Sequence, residues 1–266
     1  MKKISLLSAL VATILLLLTS CLSTSGNSGT LSCFGVVKTL NGRTVVQTNS
    51  LGYISFNNID EILMNIGAGP YSDTNAIFMQ VQYDFEAAEN VNYEANGYIY
   101  VSLLVNPVAI NEETVDYYTP VDTTTMLMDE IPLVTSIEVS SSELIDNTLI
   151  LTSLYEGKDK QENSYRLCFE YAEPRVDNGS GKNIYTLFLR AIKEIDGEKL
   201  TDTYAATNAY DVRNILRELS NREQALGNKD YFLLDVMYLK ELDEEKNILT
   251  WDSPTAMVPC RIVTED

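Results

Sequence analysis

Carboxylates dominate the reactive side chains of this chain. Thirty-eight Asp and Glu stand against 19 Lys and Arg among 266 residues, and there is no histidine. A Ser-His-Asp or Cys-His mechanism therefore lacks its base. Histidine-ligated zinc lacks its ligand, and the side chain that most often moves protons near neutral pH is missing. What remains for catalysis is a carboxylate pair of the kind glycosidases use, facing each other across a cleft. Asp235 stands out because it interrupts the apolar run Leu233 to Leu239, where a buried charge is costly without a partner. Strict alternation along a strand directs it to solvent.

Other groupings carry less. Asp177 to Asn183 reads Asp-Asn-Gly-Ser-Gly-Lys-Asn. A phosphate-binding loop needs glycine at Val176 and Ser or Thr at Asn183, so this is a hairpin loop. Asp177, Asn178 and Ser180 offer oxygen ligands to calcium, without the EF-hand pattern. Trp251 is the single tryptophan. With Tyr117 and Tyr118 it can form an aromatic sugar-binding surface, but a lone Trp beside a strand is expected in core packing. Cys33, Cys168 and Cys260 show no C-x-x-C spacing and leave open either one disulfide with a free thiol or three buried thiols. No spacing in the chain calls for a cofactor or a metal.

One cysteine has a definite chemistry. Met1-Lys2-Lys3 is a short positive start, followed by an apolar stretch from Ile4 to Leu18. At about 15 residues it is too short to span a bilayer and fits a secretory signal. Leu18-Thr19-Ser20-Cys21 then has the form of a bacterial lipobox: small residues give a peptidase access, and the Cys21 thiol takes the lipid. The expected order is a signal peptide over 1–20 and a lipidated Cys21 with a flexible Ser/Thr/Gly/Asn tether over 21–30. Cleavage removes two lysines and leaves 17 basic against 38 acidic side chains, a net charge of −21. Such a surface repels nucleic acid. No acidic cluster follows Cys21, and the expected location is the outer membrane, facing the periplasm. Asp122-Thr123-Thr124 matches a short bacterial O-glycan acceptor, which makes Thr123 a candidate modification site.

The elements that must position these residues read as mainly β. Asn41-Gly42 separates two β-prone runs, the signature of a type I′ hairpin. A short run at 52–56 extends it. Ile59, Ile62, Leu63 and Ile66 recur at helical spacing and stop at Gly67, with Asn58 as the expected cap. Strands are expected at 75–85 and 98–110, the second buried on both faces. Residues 111–130 read as irregular, and a domain boundary is expected in 140–147. Beyond it, strands are expected at 148–156, 164–172, 183–195, 198–206, 230–242 and 255–263. A helix carried by Tyr210, Ile215, Leu216 and Leu219 is expected, capped by Asn208. Short strands at this beat predict a sandwich or barrel.

The order of parts resembles the NigD-like lipoproteins of Bacteroidales. Beyond the lipobox, the residues that carry the resemblance are "DNTLILTSLYEGKDKQENSYRLCFEY" (146–171), "NIYTLFLRAIKEIDGEKLTDTYAATNAYDVRNI" (183–215) and "YFLLDVMYL" (231–239). The resemblance implies a small OB-like β-barrel over 31–138 and a β-sandwich over 146–266. It implies no catalytic residues. The reading that follows is a lipid-anchored envelope protein that binds an unknown protein or envelope glycan without catalysis. An immunity or inhibitor protein that neutralises a basic toxin is the alternative, and a carboxylate-pair glycan hydrolase is a third.

Overall fold

A computed structural model describes residues 27–72, 74–118, 122–134, 141–170, 172–198, 201–243, 248–253 and 256–262. The signal segment, Cys21 and most of the tether lie outside the described residues. Two compact units divide the chain at Glu112–Glu113.

In the first unit, strands β1 (Ser28–Leu40), β2 (Arg43–Thr48), β3 (Gly52–Ser55), β4 (Ala76–Asp84) and β5 (Ile99–Leu103) run in the order β1-β2-β3-β5-β4. Pairing of β1 with β4 closes the ring. The β1–β2 turn has positive φ at both Asn41 and Gly42, as the type I′ signal requires. Helix α1 (Ile59–Asn65) connects β3 to β4 and buries Ile59 and Leu63 against the barrel. Gly67 ends it at φ 73, with the Ala68 N–H donating to the Leu63 carbonyl at 2.9 Å, the usual glycine reversal. A short helix, α2 (Tyr93–Asn96), lies between β4 and β5.

Several expectations change here. Residues 28–30 are not tether but the start of β1, paired with Asp84, Tyr83 and Gln82. Asn58 sits in the left-handed region and its side chain makes no capping bond. The run 98–110 is not one strand. It breaks after Leu103, and β6 (Val108–Ala109) rejoins β4 at Phe78 and Ile77. Pro107 has no N–H to give a ladder. In β5 only one face is buried, through Ile99 and Val101, because the other faces out of the barrel.

After β7 (Asn111–Glu112), the second unit is a sandwich of two sheets. One holds β10 (Leu133–Val134) and β11 (Ser141–Ile145) on one edge of β12 (Thr148–Lys158), with β16 (Thr201–Asp211) on the other. The second centres on β13 (Glu162–Glu170), β15 (Asn183–Ile195) and β17 (Tyr231–Asp243). Its remaining strands are β8 (Thr114–Tyr118), β9 (Glu130–Ile131), β14 (Arg175–Val176), β18 (Ile248–Asp252) and β19 (Val258–Arg261). Leu149 and Leu151 from one sheet meet Leu167, Leu187, Leu189 and Val236 from the other, and α3 (Arg213–Ala225) adds Ile215 and Leu219. The expected mainly β fold, OB-like barrel then sandwich, is present.

The division of the chain differs from the expectation. The segment 140–147 is not a linker, since 141–145 form β11, which hairpins onto β12. Residues 114–118 pair in parallel with β13, some 50 residues away, and a parallel partner so distant leaves no local signature. Asn208 does not cap α3: β16 continues to Asp211, Asn208 pairs with Leu151, and Val212 holds the cap position.

Gly35 lies where β1 passes from β4 to β2. A Cβ there would sit 2.3 Å from Val46 Cγ1 and 2.6 Å from Met79 Cε. Gly35→Val is expected to destabilise the barrel by about 1–3 kcal/mol through overpacking; urea unfolding monitored by tyrosine fluorescence reads the change, and an unchanged midpoint would refute it.

Candidate functional site

The outer face of the second unit's larger sheet carries a buried polar cluster. On β15, Tyr185, Leu187, Leu189 and Ala191 face the core, so alternation turns Thr186, Phe188 and Arg190 outward. Arg190 is nonetheless 5% exposed, and Glu130 on β9 is fully buried against it. Nε donates to Glu130 Oε1 at 2.6 Å and Nη2 to Oε2 at 2.7 Å. Nη1 also reaches the Asp122 carbonyl at 2.9 Å, and Nη2 the Thr125 carbonyl at 2.8 Å. Four of the five guanidinium N–H groups are thus used. Burial works against the Arg190 charge, and the hydrogen-bonded Glu130 carboxylate more than offsets it, holding the arginine pKa above its ordinary value.

Trp251 completes the clamp. Its indole N–H donates to the Thr123 carbonyl at 3.0 Å. Its ring lies edge-on to Phe188 at 5.2 Å and under the Arg190 guanidinium at 5.7 Å. Asp122 Oδ1 accepts from the Thr124 N–H, the Thr124 hydroxyl and the Thr125 N–H, each at 2.9 Å. The Thr125 hydroxyl first, and then these bonds, hold Asp122 well below the usual carboxylate range. Thr123 is half-buried, and its hydroxyl is the one of the three that Asp122 does not engage. Chemically the arrangement is a latch: it fastens 122–130 onto the sheet and leaves the arginine little capacity for a ligand.

Two further carboxylates are buried. Asp235 is not turned to solvent: it is 6% exposed, ion-paired with Arg175 and bonded by the Ser253 hydroxyl. Alternation did point it outward, but Arg175 of β14 and Ser253, just after β18, engage it there. Glu223 of α3 is fully buried and accepts from Asn183 Nδ2 at 2.8 Å, the Tyr185 hydroxyl at 2.5 Å and Asn228 Nδ2 at 2.6 Å. Burial and this carboxylate push the Tyr185 phenol well up. The one sequence trace of Glu223 is its place four residues after Leu219 and eight after Ile215, which puts it on the apolar stripe.

The remaining candidates separate. Tyr117, on β8, faces Asn214 of α3, across the sheet from Trp251, and the Tyr118 side chain lies outside the described residues. No aromatic surface joins Trp251 to Tyr117. Asp177 closes a tight turn, its Oδ2 accepting from the Ser180 N–H at 2.7 Å and hydroxyl at 2.6 Å. Cys33, Cys168 and Cys260 are buried and form no disulfide with one another. Burial pushes Cys168 up to about 11 and Cys260 to about 12.

With this geometry, relatives can be weighed. Residues 25–107 match the lipoprotein OB domain family. The match agrees with the resemblance to NigD-like lipoproteins, and both domains which that resemblance implied are present. An uncharacterised protein from Parabacteroides merdae shares the fold at 21% identity and TM-score 0.72, over 88% of this chain and all of its own. A candidate lipoprotein from Bacteroides fragilis does so at 13% identity and TM-score 0.55, over 90% of this chain and all of its own. A NigD-like immunity protein from Bacteroides caccae aligns more loosely, at 9% identity and TM-score 0.39, over 89% of this chain and 99% of its own. No curated protein matches the chain in sequence.

The latch predicts a pattern of stabilities. Arg190→Met leaves Glu130 buried without a cation and is expected to cost about 3–5 kcal/mol, whereas Arg190→Met with Glu130→Leu recovers most of that loss. Denaturant unfolding of the three proteins reads this, and a double variant no better than the single one would contradict it.

Proposed function

We infer that this is a lipid-anchored accessory protein of the cell envelope that binds a protein or glycan and catalyses nothing. The observation that carries this is the match of 25–107 to lipoprotein OB domains, directly after a lipobox at Cys21. The chemistry of the second unit agrees. Its buried carboxylates are committed to their own partners: Glu130 to Arg190, Asp235 to Arg175 and Ser253, Glu223 to three neutral donors. A carboxylate that works as acid or base must reach a substrate. The anchor is the Cys21 lipid, with the outer membrane as the site and the body facing the periplasm.

Two measurements test this. In a Bacteroidales host the mature protein is expected in the membrane fraction, with an acylated Cys21 as its first residue, while Cys21→Ala leaves the membrane fraction. Equal partitioning of the two proteins sinks the anchor. The same mass spectra read the 122–130 peptide. We expect a glycan mass on it that disappears in Thr123→Ala; a bare peptide in the native protein removes Thr123 as an acceptor.

The second measurement is capture from envelope extract by the chain beginning at residue 22, at low and high salt. The accessory reading expects a partner that survives high salt. The acid excess of the mature chain favours one other outcome, an immunity or inhibitor protein. In that case the partner is basic and is lost at high salt, as a screened charge interaction must be.

A further inference from the structure

The barrel's outer surface holds a polar groove of about 270 Å³, distinct from the latch of the second unit. It forms because β4 and β5 part. Their ladder ends at Tyr83 opposite Val101, and where the next rung would be, the buried Asn90 intrudes. Its Nδ2 donates to the Asp84 and Tyr100 carbonyls at 2.8 and 2.9 Å, and its Oδ1 accepts from the Tyr100 N–H at 2.6 Å. One carboxamide thus satisfies both strand ends and fixes the β4–β5 connection as the groove's rim. The groove is built into the fold, since removing Asn90 would take its side-chain partner from both Tyr100 backbone groups, while the Asp84 carbonyl would keep only the Ala87 N–H at 3.3 Å.

The lining defines a ligand. Asn57, Gln82, Asp84, Glu89 and Ser102 line it together with Tyr100. All five polar residues are exposed, and Tyr100 is half-buried beside Tyr98, with ring centroids 6.3 Å apart. Arg43 holds the Tyr98 hydroxyl at 2.9 Å. No basic side chain lines the groove. Two carboxylates without a cation turn away phosphates and nucleic acid. Carboxylates and carboxamides at close range can each engage two neighbouring hydroxyls, and an aromatic ring with a polar tip offers an apolar face to C–H groups. The volume lies just below the ~300–1,000 Å³ of drug-sized sites, which suits one ring of a chain that continues into solvent. A flat protein epitope does not fit so narrow a polar cleft.

We propose that this groove is a subsite for one residue of a neutral, polyhydroxylated glycan, stacked on Tyr100 and hydrogen-bonded by Gln82, Glu89 and Ser102. The proposal rests on the binding reading above and specifies its ligand. The test is saturation-transfer NMR on the chain beginning at residue 22, with chitohexaose, xylohexaose and mannohexaose as probes. Transfer to at least one of them is expected. Gln82→Ala and Glu89→Ala, both at exposed positions, should each weaken that binding about tenfold. Ser102→Trp should fill the groove and abolish binding without moving the unfolding midpoint. Transfer to none of the three sugars, or equal transfer with Ser102→Trp, overturns the proposal. Either result leaves the accessory reading standing if a protein is still captured and Cys21 is acylated. Conversely, sugar binding by a protein that carries no acyl group would keep the groove and remove the anchor.

Discussion

An open sheet edge is a row of unpaired N–H and C=O groups, and the first unit depends on abolishing it. The thirteen-residue β1 does so alone. Its first part pairs with β4, from Ser28 to Val36, and its last part with β2, from Val36 to Leu40. One strand serving two partners must bend sharply and let the opposite wall approach, and Gly35 is the point of closest approach. With the ring closed, alternation sorts β5 and the end of β4 into an apolar interior and a polar exterior, whereas Phe34, Val36, Val45, Ala76 and Phe78, which alternate with interior residues, are apolar and buried too. Ile77, Met79 and Val81 fill the barrel with Ile99 and Val101, while Gln82, Tyr100 and Ser102 line its outside. The groove is a by-product of the same closure: β4 and β5 must separate to let their connection pass, and Asn90 occupies the gap.

The second unit solves a related problem differently. Its larger sheet has an inner face packed on the other sheet and an outer face left to water. Part of that outer face is nonetheless dry, because 122–130 is drawn across it by Arg190 and Trp251. A buried ion pair is weak evidence for stability in itself. Here its effect is geometric: the same guanidinium holds the Glu130 carboxylate and two loop carbonyls, so the loop has one position and not many. β9 and β10 follow immediately, one joining β15 and the other β12. The latch therefore stands at the point where the chain crosses from one sheet to the other.

These two devices separate support from function. The second unit spends its buried charges on holding itself together, whereas the first leaves exposed carboxylates, amides and tyrosines around a concave surface. On the binding reading proposed above, recognition falls to the barrel. A short tether from a lipid anchor would hold that barrel near the membrane, where envelope glycans and proteins are concentrated. The acid excess then has a simple role, keeping an exported protein soluble and clear of anionic headgroups.

What the sequence determined by itself was local. Asn41-Gly42 dictates a turn through the φ values it tolerates, the apolar alternation of 183–195 dictates a strand of those same bounds, and Gly67 ends a helix because no side chain hinders its reversal. The lipobox and the missing histidine are likewise facts of sequence. Pairing was not legible where partners lie far apart. Residues 114–118 look like loop because their hydrogen bonds go to β13 in parallel, and 248–252 form a strand only because β17 offers an edge. Nor could the chain reveal which charges are buried. Asp235 sits in a pattern that reads as solvated and Glu223 on an apolar stripe without a visible partner, and only tertiary structure supplies Arg175, Ser253, Asn183 and Asn228 as the donors that stabilise them when buried. Hydrogen-bond partners across a fold are chosen by geometry, which no run of neighbouring residues encodes.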